Sequence, residues 1–230
     1  MLIGTGLLAQ AFLTPFAQRE DVCIYAAGVS NSGCTSSLEF ERERKLLTQT
    51  LLSQSHVGAF VYFGTCSVRD PVAKNTPYVR HKLAMEHLVA AHPRHLILRL
   101  PQIAGRTPNP HTLLNYLYAR ISRSEGFELW KNAKRNIIDI DDVAAIAGQI
   151  IADKSLRNLT LNIANPVCDS IVDIVAAMER AVGKPALCQV IDLGSGYQID
   201  VSAISGMAAA RFGHDYLERV IGKYYAFTGV

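Results

Sequence analysis

The chain has 230 residues, a formal net charge of +3 and 49% hydrophobic residues. That length fits one domain, or a core with a small lobe, and the apolar content excludes a disordered chain. Lysines and arginines are dispersed, so nothing marks a nucleic-acid groove, and no apolar run approaches a membrane span. Five cysteines (Cys23, Cys34, Cys66, Cys168 and Cys188) form an odd number without a Cys-x-x-Cys pair. They point to reduced thiols in a cytoplasm rather than to disulfides or a zinc knuckle. His92 and His95 flank Pro93 and read as surface residues rather than metal ligands. The apolar start, Met1 to Phe16, lacks a basic n-region and is interrupted by glycines, so it reads as structure rather than as a signal peptide.

Leu2-Ile3-Gly4-Thr5-Gly6-Leu7-Leu8-Ala9 is a Gly-x-Gly-x-x-Ala turn between a short strand and a helix over Leu7–Gln18. Such glycines let backbone approach a pyrophosphate, and the helix N-terminus offers it amides. Asp21-Val-Cys-Ile-Tyr-Ala-Ala-Gly28 reads as the next strand. No acidic residue ends it to hold an adenosine ribose, as that fingerprint ordinarily requires. Ser30, Asn31 and Ser32 form a loop that either caps the following helix or meets a substrate. That helix, about Leu38 to Ser55, is expected to turn Glu41 to Lys45 to solvent and to bury Leu46, Leu47, Thr50 and Leu51.

Val61 to Ser67 is a buried-type strand that carries Thr65 to its C-terminal end. Beyond a polar loop, Tyr78 and Lys82 stand four residues apart on one face of a helix. An ammonium beside a phenol lowers the phenol's pKa, which suits a general acid or base near neutral pH. His95–Leu100 is another buried strand, left through Pro101, Gln102, Ile103, Ala104 and Gly105. Thr107 to His111 is loop, and Thr112–Ser122 a helix. Arg135 precedes Asn136-Ile-Ile-Asp-Ile-Asp-Asp-Val143, in which Asp141 and Asp142 open a helix where carboxylates are favourable. Leu159 to Asn162 is a last core strand, and Ser170–Val182 an amphipathic helix ended by Gly183.

Taken together, the glycine turn, the Thr65–Tyr78–Lys82 set, Arg99 to Gly105 and Arg135 to Val143 resemble the extended short-chain dehydrogenases/reductases, specifically the NAD-dependent epimerase/dehydratase group acting on nucleotide-activated sugars. The resemblance covers about Met1 to Gly183. Ala26-Ala27-Gly28 resembles that group's later strand, so one strand-helix-strand unit is read as deleted. Two departures stand out: Arg69-Asp70 replaces Tyr-Gly, and Asn136 replaces an Asp.

The resemblance implies an α/β Rossmann-like, doubly wound parallel sheet with a small C-terminal substrate lobe. Residues 1–105, completed by 136–165, would form the core, and 106–135 with 166–230 the lobe. It implies an NAD or NADP cofactor held by Gly4, Gly6, Leu7, Leu8, Ala26, Ala27, Gly28, Lys82, Pro101 and Ile103. Thr65, Tyr78 and Lys82 would be catalytic, and Ser30, Asn31, Cys66, Ser67, Gln102, Arg106 and Arg135 would meet a nucleotide-sugar substrate. Arg135 can fork onto a diphosphate, although a plain surface arginine is the equal alternative. Epimerisation and keto-sugar reduction remain open, dehydration being less favoured because no acid stands beside Thr65. A non-catalytic nucleotide- or partner-binding relative is the rival reading, and a homodimer is left open by analogy.

Overall fold

The computed structural model describes residues 1–16, 18–208 and 211–226. In chain order its elements are β1 (Leu2–Ile3), α1 (Leu7–Phe16), β2 (Val22–Tyr25), α2 (Ser37–Ser53), β3 (Ala59–Thr65), α3 (Pro77–Ala90), β4 (His95–Leu100), β5 (Gln102–Ala104) and α4 (Leu113–Ser122). There follow β6 (Phe127–Trp130), β7 (Lys134–Arg135), β8 (Ile137–Asp139), α5 (Ile140–Ala152), β9 (Leu159–Asn162), β10 (Asp169–Ser170), α6 (Ile171–Val182), β11 (Cys188–Ile191), α7 (Ser205–Ala208) and α8 (Tyr216–Tyr225).

Five parallel strands form the central sheet in the order β1-β2-β3-β4-β9. Alternate residues of each strand supply two cores, which is why the strands read as nearly continuous apolar runs. On one face Val22, Ile24, Val61, Phe63, Leu96 and Leu98 meet Phe12 of α1 and Val143, Ile146 and Ile150 of α5. On the other, Cys23, Tyr25, Phe60, Tyr62 and Ile97 meet Leu47 of α2 and Met85 and Val89 of α3.

The strand order bears on the missing unit. β1 pairs directly with β2, in the register Leu2↔Ile24 and Ile3↔Tyr25. The path from β1 to β4 therefore always steps in one direction across the sheet, yet α1 covers one face while α2 and α3 cover the other. The same step with the helix on the opposite face reverses the hand of the crossover. The β1–α1–β2 unit thus has the opposite hand to its two successors, whereas parallel crossovers overwhelmingly share one hand. Excision of a strand-helix-strand segment that once separated α1 from β2 accounts for this, because α1 keeps its face while its next strand has changed sides.

A further core cluster lies away from the sheet. Leu114, Leu117 and Ile121 of α4, Phe127 and Leu129 of β6, Ile174 and Met178 of α6, and Val220 and Ile221 of α8 form it. β6 pairs with β11 in parallel, β7 with β10 antiparallel, and β5 with β8 in parallel. Helix ends follow ordinary capping chemistry. The Thr112 hydroxyl accepts from the Asn115 amide and the Ser170 hydroxyl from the Asp173 amide, while Gly183 takes a left-handed φ of 73°.

Several sequence expectations need correction. α1 ends at Phe16, with Pro15 in its last turn, rather than at residue 18. The cap of α5 is Asp139, which accepts from the Asp141 amide, with Asp141 and Asp142 in the first turn. His92 is buried rather than on the surface. Its Nε2 lies 3.2 Å from the Gln54 carbonyl and its Nδ1 accepts from the Arg94 amide, pinning the turn before β4. Asn136 has a structural reason to depart from an acid. Its Nδ2 donates to the Asn165 carbonyl at 2.7 Å while its Oδ1 accepts from the Asn165 amide at 3.1 Å, a pairing that a carboxylate cannot make. No described helix is long and apolar enough to cross a membrane.

Candidate active site

The C-terminal ends of β1, β2, β3 and β4 open onto a cleft of about 700 Å³, where ligands of open α/β sheets are ordinarily held. At its edge the β1–α1 turn is fixed by Gly4, whose φ is 123°. A Cβ there would stand 2.5 Å from the Ala26 carbonyl oxygen, so the glycine lets the turn lie against the strand end that carries Ala26 and Ala27. A Cβ on Gly6 would meet nothing within 4 Å, so the first turn of α1 faces open space.

β3 ends at Thr65, whose Oγ1 accepts from the Ser67 amide at 3.2 Å and caps a single 3₁₀ turn, Cys66–Arg69. The Thr76 hydroxyl caps α3, accepting from the Val79 amide, and Pro77 occupies the first position. Tyr78 and Lys82 therefore project from the first two turns of α3 toward the strand ends. Thr65, Tyr78 and Lys82 are all buried, and each lines the cleft. Burial, and after it the charge of Glu43, pushes the Tyr78 phenol upward, while the adjacent Thr65 hydroxyl pulls it down. The expectation that Lys82 lowers the phenol does not hold here, because its ammonium is directed elsewhere.

It is directed at Glu43. The expected solvated run on α2 hides one residue that is fully buried. Glu43 Oε1 lies 3.3 Å from Lys82 Nζ and accepts from the Tyr62 hydroxyl at 2.9 Å. Its Oε2 accepts from the Val29 amide at 2.7 Å and lies 2.9 Å from His81 Nε2. Burial by itself would raise the Glu43 carboxyl. The His81 hydrogen bond, the Lys82 charge, the Val29 amide and the Tyr62 hydroxyl together outweigh it and hold the group down at about 2. Lys82 is lowered by its own burial, against which Glu43 works. Leu46, expected inside, is partly exposed and lines the cleft instead.

The cleft gathers most of the expected contacts: Gly4, Gly6, Leu7, Leu8, Ala26, Ala27, Gly28, Ser30, Ser67, Pro101, Gln102, Ile103 and Arg135. Asn31 and Arg106 lie instead on an adjoining recess of about 540 Å³. The Asn31 side chain accepts from the Gly33 amide, and Ser30 Oγ accepts from Asn109 Nδ2 at 3.3 Å, so this loop is held by its own bonds and by the loop before α4. Neither residue caps α2, a role that falls to Ser36. Cys66 is a correction. It is buried away from the cleft with its thiol 4.0 Å from Asn162 Oδ1, and burial pushes it up to about 12.

Among the cleft residues without any sequence indication are Tyr197 and Cys168. Tyr197 reaches the wall from the C-terminal segment, beside Ser67, and the Cys168 thiol donates to its carbonyl at 3.4 Å. Neither belongs to a periodic segment. Glu43 did have a signal: Glu43, Leu47 and Thr50 follow the i, i+4, i+7 spacing of a buried helix face, and all three are buried.

Residues 5–164 match the model of a family described as the NAD dependent epimerase/dehydratase family. Among curated protein sequences none matches significantly. Of solved structures, a UDP-glucuronic acid 4-epimerase from Bacillus cereus in complex with UDP-glucuronic acid and NAD superposes with a TM-score of 0.74 at 21% identity, covering 93% of this chain and 76% of that one. RMD from Pseudomonas aeruginosa, complexed with NADPH, gives 0.73 at 14% identity with 96% of both chains covered. A UDP-N-acetylglucosamine 4-epimerase from Bacillus cereus gives 0.71 at 17% identity, again over 96% of both. At these identities the superpositions establish the fold.

Proposed function

The chain belongs to the NAD dependent epimerase/dehydratase family, and from that premise we propose that it is an NAD(P)-dependent reductase or epimerase of a nucleotide-activated sugar, with Thr65, Tyr78 and Lys82 as its reacting set. The observation that carries the reading is their convergence with the β1–α1 glycine turn on one cleft.

The residues present fit a dinucleotide at two of its parts. Open space above Gly6 leaves the first turn of α1 free to meet a diphosphate, and the buried end near Tyr78 suits a nicotinamide flanked by Pro101 and Ile103. When bound, that cofactor supplies or accepts hydride at a sugar carbon. The chain's own groups manage the proton. Tyr78 gives it to, or takes it from, the oxygen on that carbon, and the Thr65 hydroxyl bonds the same oxygen. Arg135 and Lys134 on the cleft wall would meet the substrate's diphosphate, and Ser67 and Gln102 its sugar.

The test is titration with NADH and NADPH, followed by nicotinamide fluorescence, together with incubation with UDP-, GDP- and dTDP-4-keto sugars. Binding of a reduced cofactor and its substrate-dependent consumption are expected, with Tyr78→Phe lowering turnover by about 10²–10⁴-fold at unchanged cofactor affinity. Absence of binding by either cofactor would instead support a non-catalytic relative, a reading favoured by one observation: no carboxylate ends β2 at the adenosine side.

A further inference from the structure

The cleft does not stop at the glycine turn. Beyond it lies the recess of about 540 Å³, which shares Thr5, Gly6 and Leu7 with the cleft but none of Thr65, Tyr78 and Lys82. The turn therefore stands between two arms of one space, with the reacting set in one of them. A dinucleotide with its nicotinamide at Tyr78 and its diphosphate on the first turn of α1 directs its adenosine half toward the other arm.

Two arginines line that second arm. Arg42 comes from the second turn of α2, and Arg106 from the loop before α4. Both are exposed, and neither side chain makes a hydrogen bond or an ion pair among the described residues. Arg44, two residues on from Arg42, is by contrast held by Glu41 at 2.7 Å. The loop that carries Arg106 is fixed in place. A Cβ on Gly105 would stand 2.8 Å from Leu7 Cδ1, so the chain leaves β5 packed against α1. Asn115 Nδ2 then donates to the Thr107 and Asn109 carbonyls at 2.9 and 2.8 Å, and Asn109 Nδ2 donates to Ser30 Oγ. One carboxylate, Glu39, lines the recess, so the two guanidinium groups leave it with a net positive charge.

A carboxylate at an adenosine ribose accepts from the sugar hydroxyls and repels a phosphate there, whereas a guanidinium forks onto one. The end of β2 holds no such carboxylate. We propose that Arg42 and Arg106 form a phosphate subsite at the adenosine end of the cofactor site, and so select a dinucleotide phosphorylated on its adenosine ribose over the unphosphorylated one. This deepens the NAD(P)-dependent reading and rests on it. Both arginines stand on elements beside the glycine turn, so the subsite needs nothing from the missing strand-helix-strand unit.

The test is fluorescence titration of NADPH and of NADH, without substrate, on wild type, Arg42→Gln, Arg106→Gln and the double variant. Wild type is expected to bind NADPH about a hundredfold more tightly than NADH, each single variant to weaken NADPH about tenfold, and the double variant to bind the two alike, with NADH held within about twofold throughout. Displacement of NADPH by adenosine 2′,5′-bisphosphate should weaken in step, which places the effect at the adenosine end. Both side chains are exposed and unbonded, so the variants should keep the wild-type melting temperature. Equal affinity of wild type for the two nucleotides, or equal weakening of both by the variants, overturns the proposal. The enzymatic reading survives either result, because cofactor still binds. Binding of neither nucleotide overturns both.

Discussion

A buried carboxylate beneath a cleft has consequences for stability as well as for chemistry. Glu43 is held at about 2, below its ordinary 4.5, although burial alone would raise it. A group lowered on folding contributes stability that is complete above its unfolded value and is lost as pH falls through its folded one. The stability gap between wild type and Glu43→Gln should therefore be widest above pH 5 and shrink between about pH 4.5 and pH 2, by on the order of 3 kcal/mol. Urea titrations at several pH values measure it, and a gap that stays constant down to pH 2 would count against the ion pair. At this scale much of the site was legible in the sequence. Thr65, Tyr78, Lys82 and the glycine turn are local patterns whose spacing survives without tertiary information. Glu43 carried a signal, the i, i+4, i+7 face it shares with Leu47 and Thr50, but it stands between the exposed Arg42 and Arg44 in a charged run that reads as a solvated face. Tyr197 was hidden for another reason. It arrives on an irregular segment, where no period tells which residues point inward.

Among the elements, the turn from β1 to α1 is the most tightly specified. Gly4 combines a φ of 123° with a carbonyl 2.5 Å from where a Cβ would sit. Gly4→Ala must both adopt a rarely allowed backbone and displace the end of β2, so a loss of about 3 kcal/mol or more is expected. Gly6→Ala has room for its methyl, so its fold should survive while reduced-cofactor affinity drops. Calorimetry paired with fluorescence titration separates the two, and equal destabilisation by both would refute the assignment. The strands themselves were readable because both faces of the sheet are covered, which makes the central ones nearly continuous apolar runs. Helix ends were read to within a few residues, with capping hydroxyls such as Thr112 and Ser170 doing more to set them than propensity.

The sheet core and the second core cluster are joined through α8 and the segment before it. Phe212 and Tyr224 pack against both clusters. The Tyr224 hydroxyl donates to Asp139 Oδ1 at 2.6 Å, Lys223 bonds Asp139 Oδ2 at 2.7 Å, and the Tyr216 hydroxyl donates to Asp142 while accepting from the Asp139 amide. The two clusters are thus expected to melt together. Ile221→Ala, a fully buried truncation in α8, should cost about 2–5 kcal/mol and lower a single calorimetric transition rather than split off a second one. Two resolved transitions would show the cores to be independent. The missing strand-helix-strand unit was legible at this scale from the absent acidic strand end and the early Ala26-Ala27-Gly28. The reversed hand of the first crossover was not, since handedness depends on which face a helix covers, and that is settled by packing.

That reversed crossover leaves β1, among the described residues, with one flank bonded and the other bare. The bare flank is the socket from which two strands and a helix are gone, and β1 still runs parallel to the rest of the sheet. Splicing a strand-helix-strand segment into the link between Phe16 and Val22 would let the sheet grow outward from β1 without disturbing a single existing pairing. It would also turn one wrong-handed step into ordinary ones and bring an acidic strand end back beside the glycine turn.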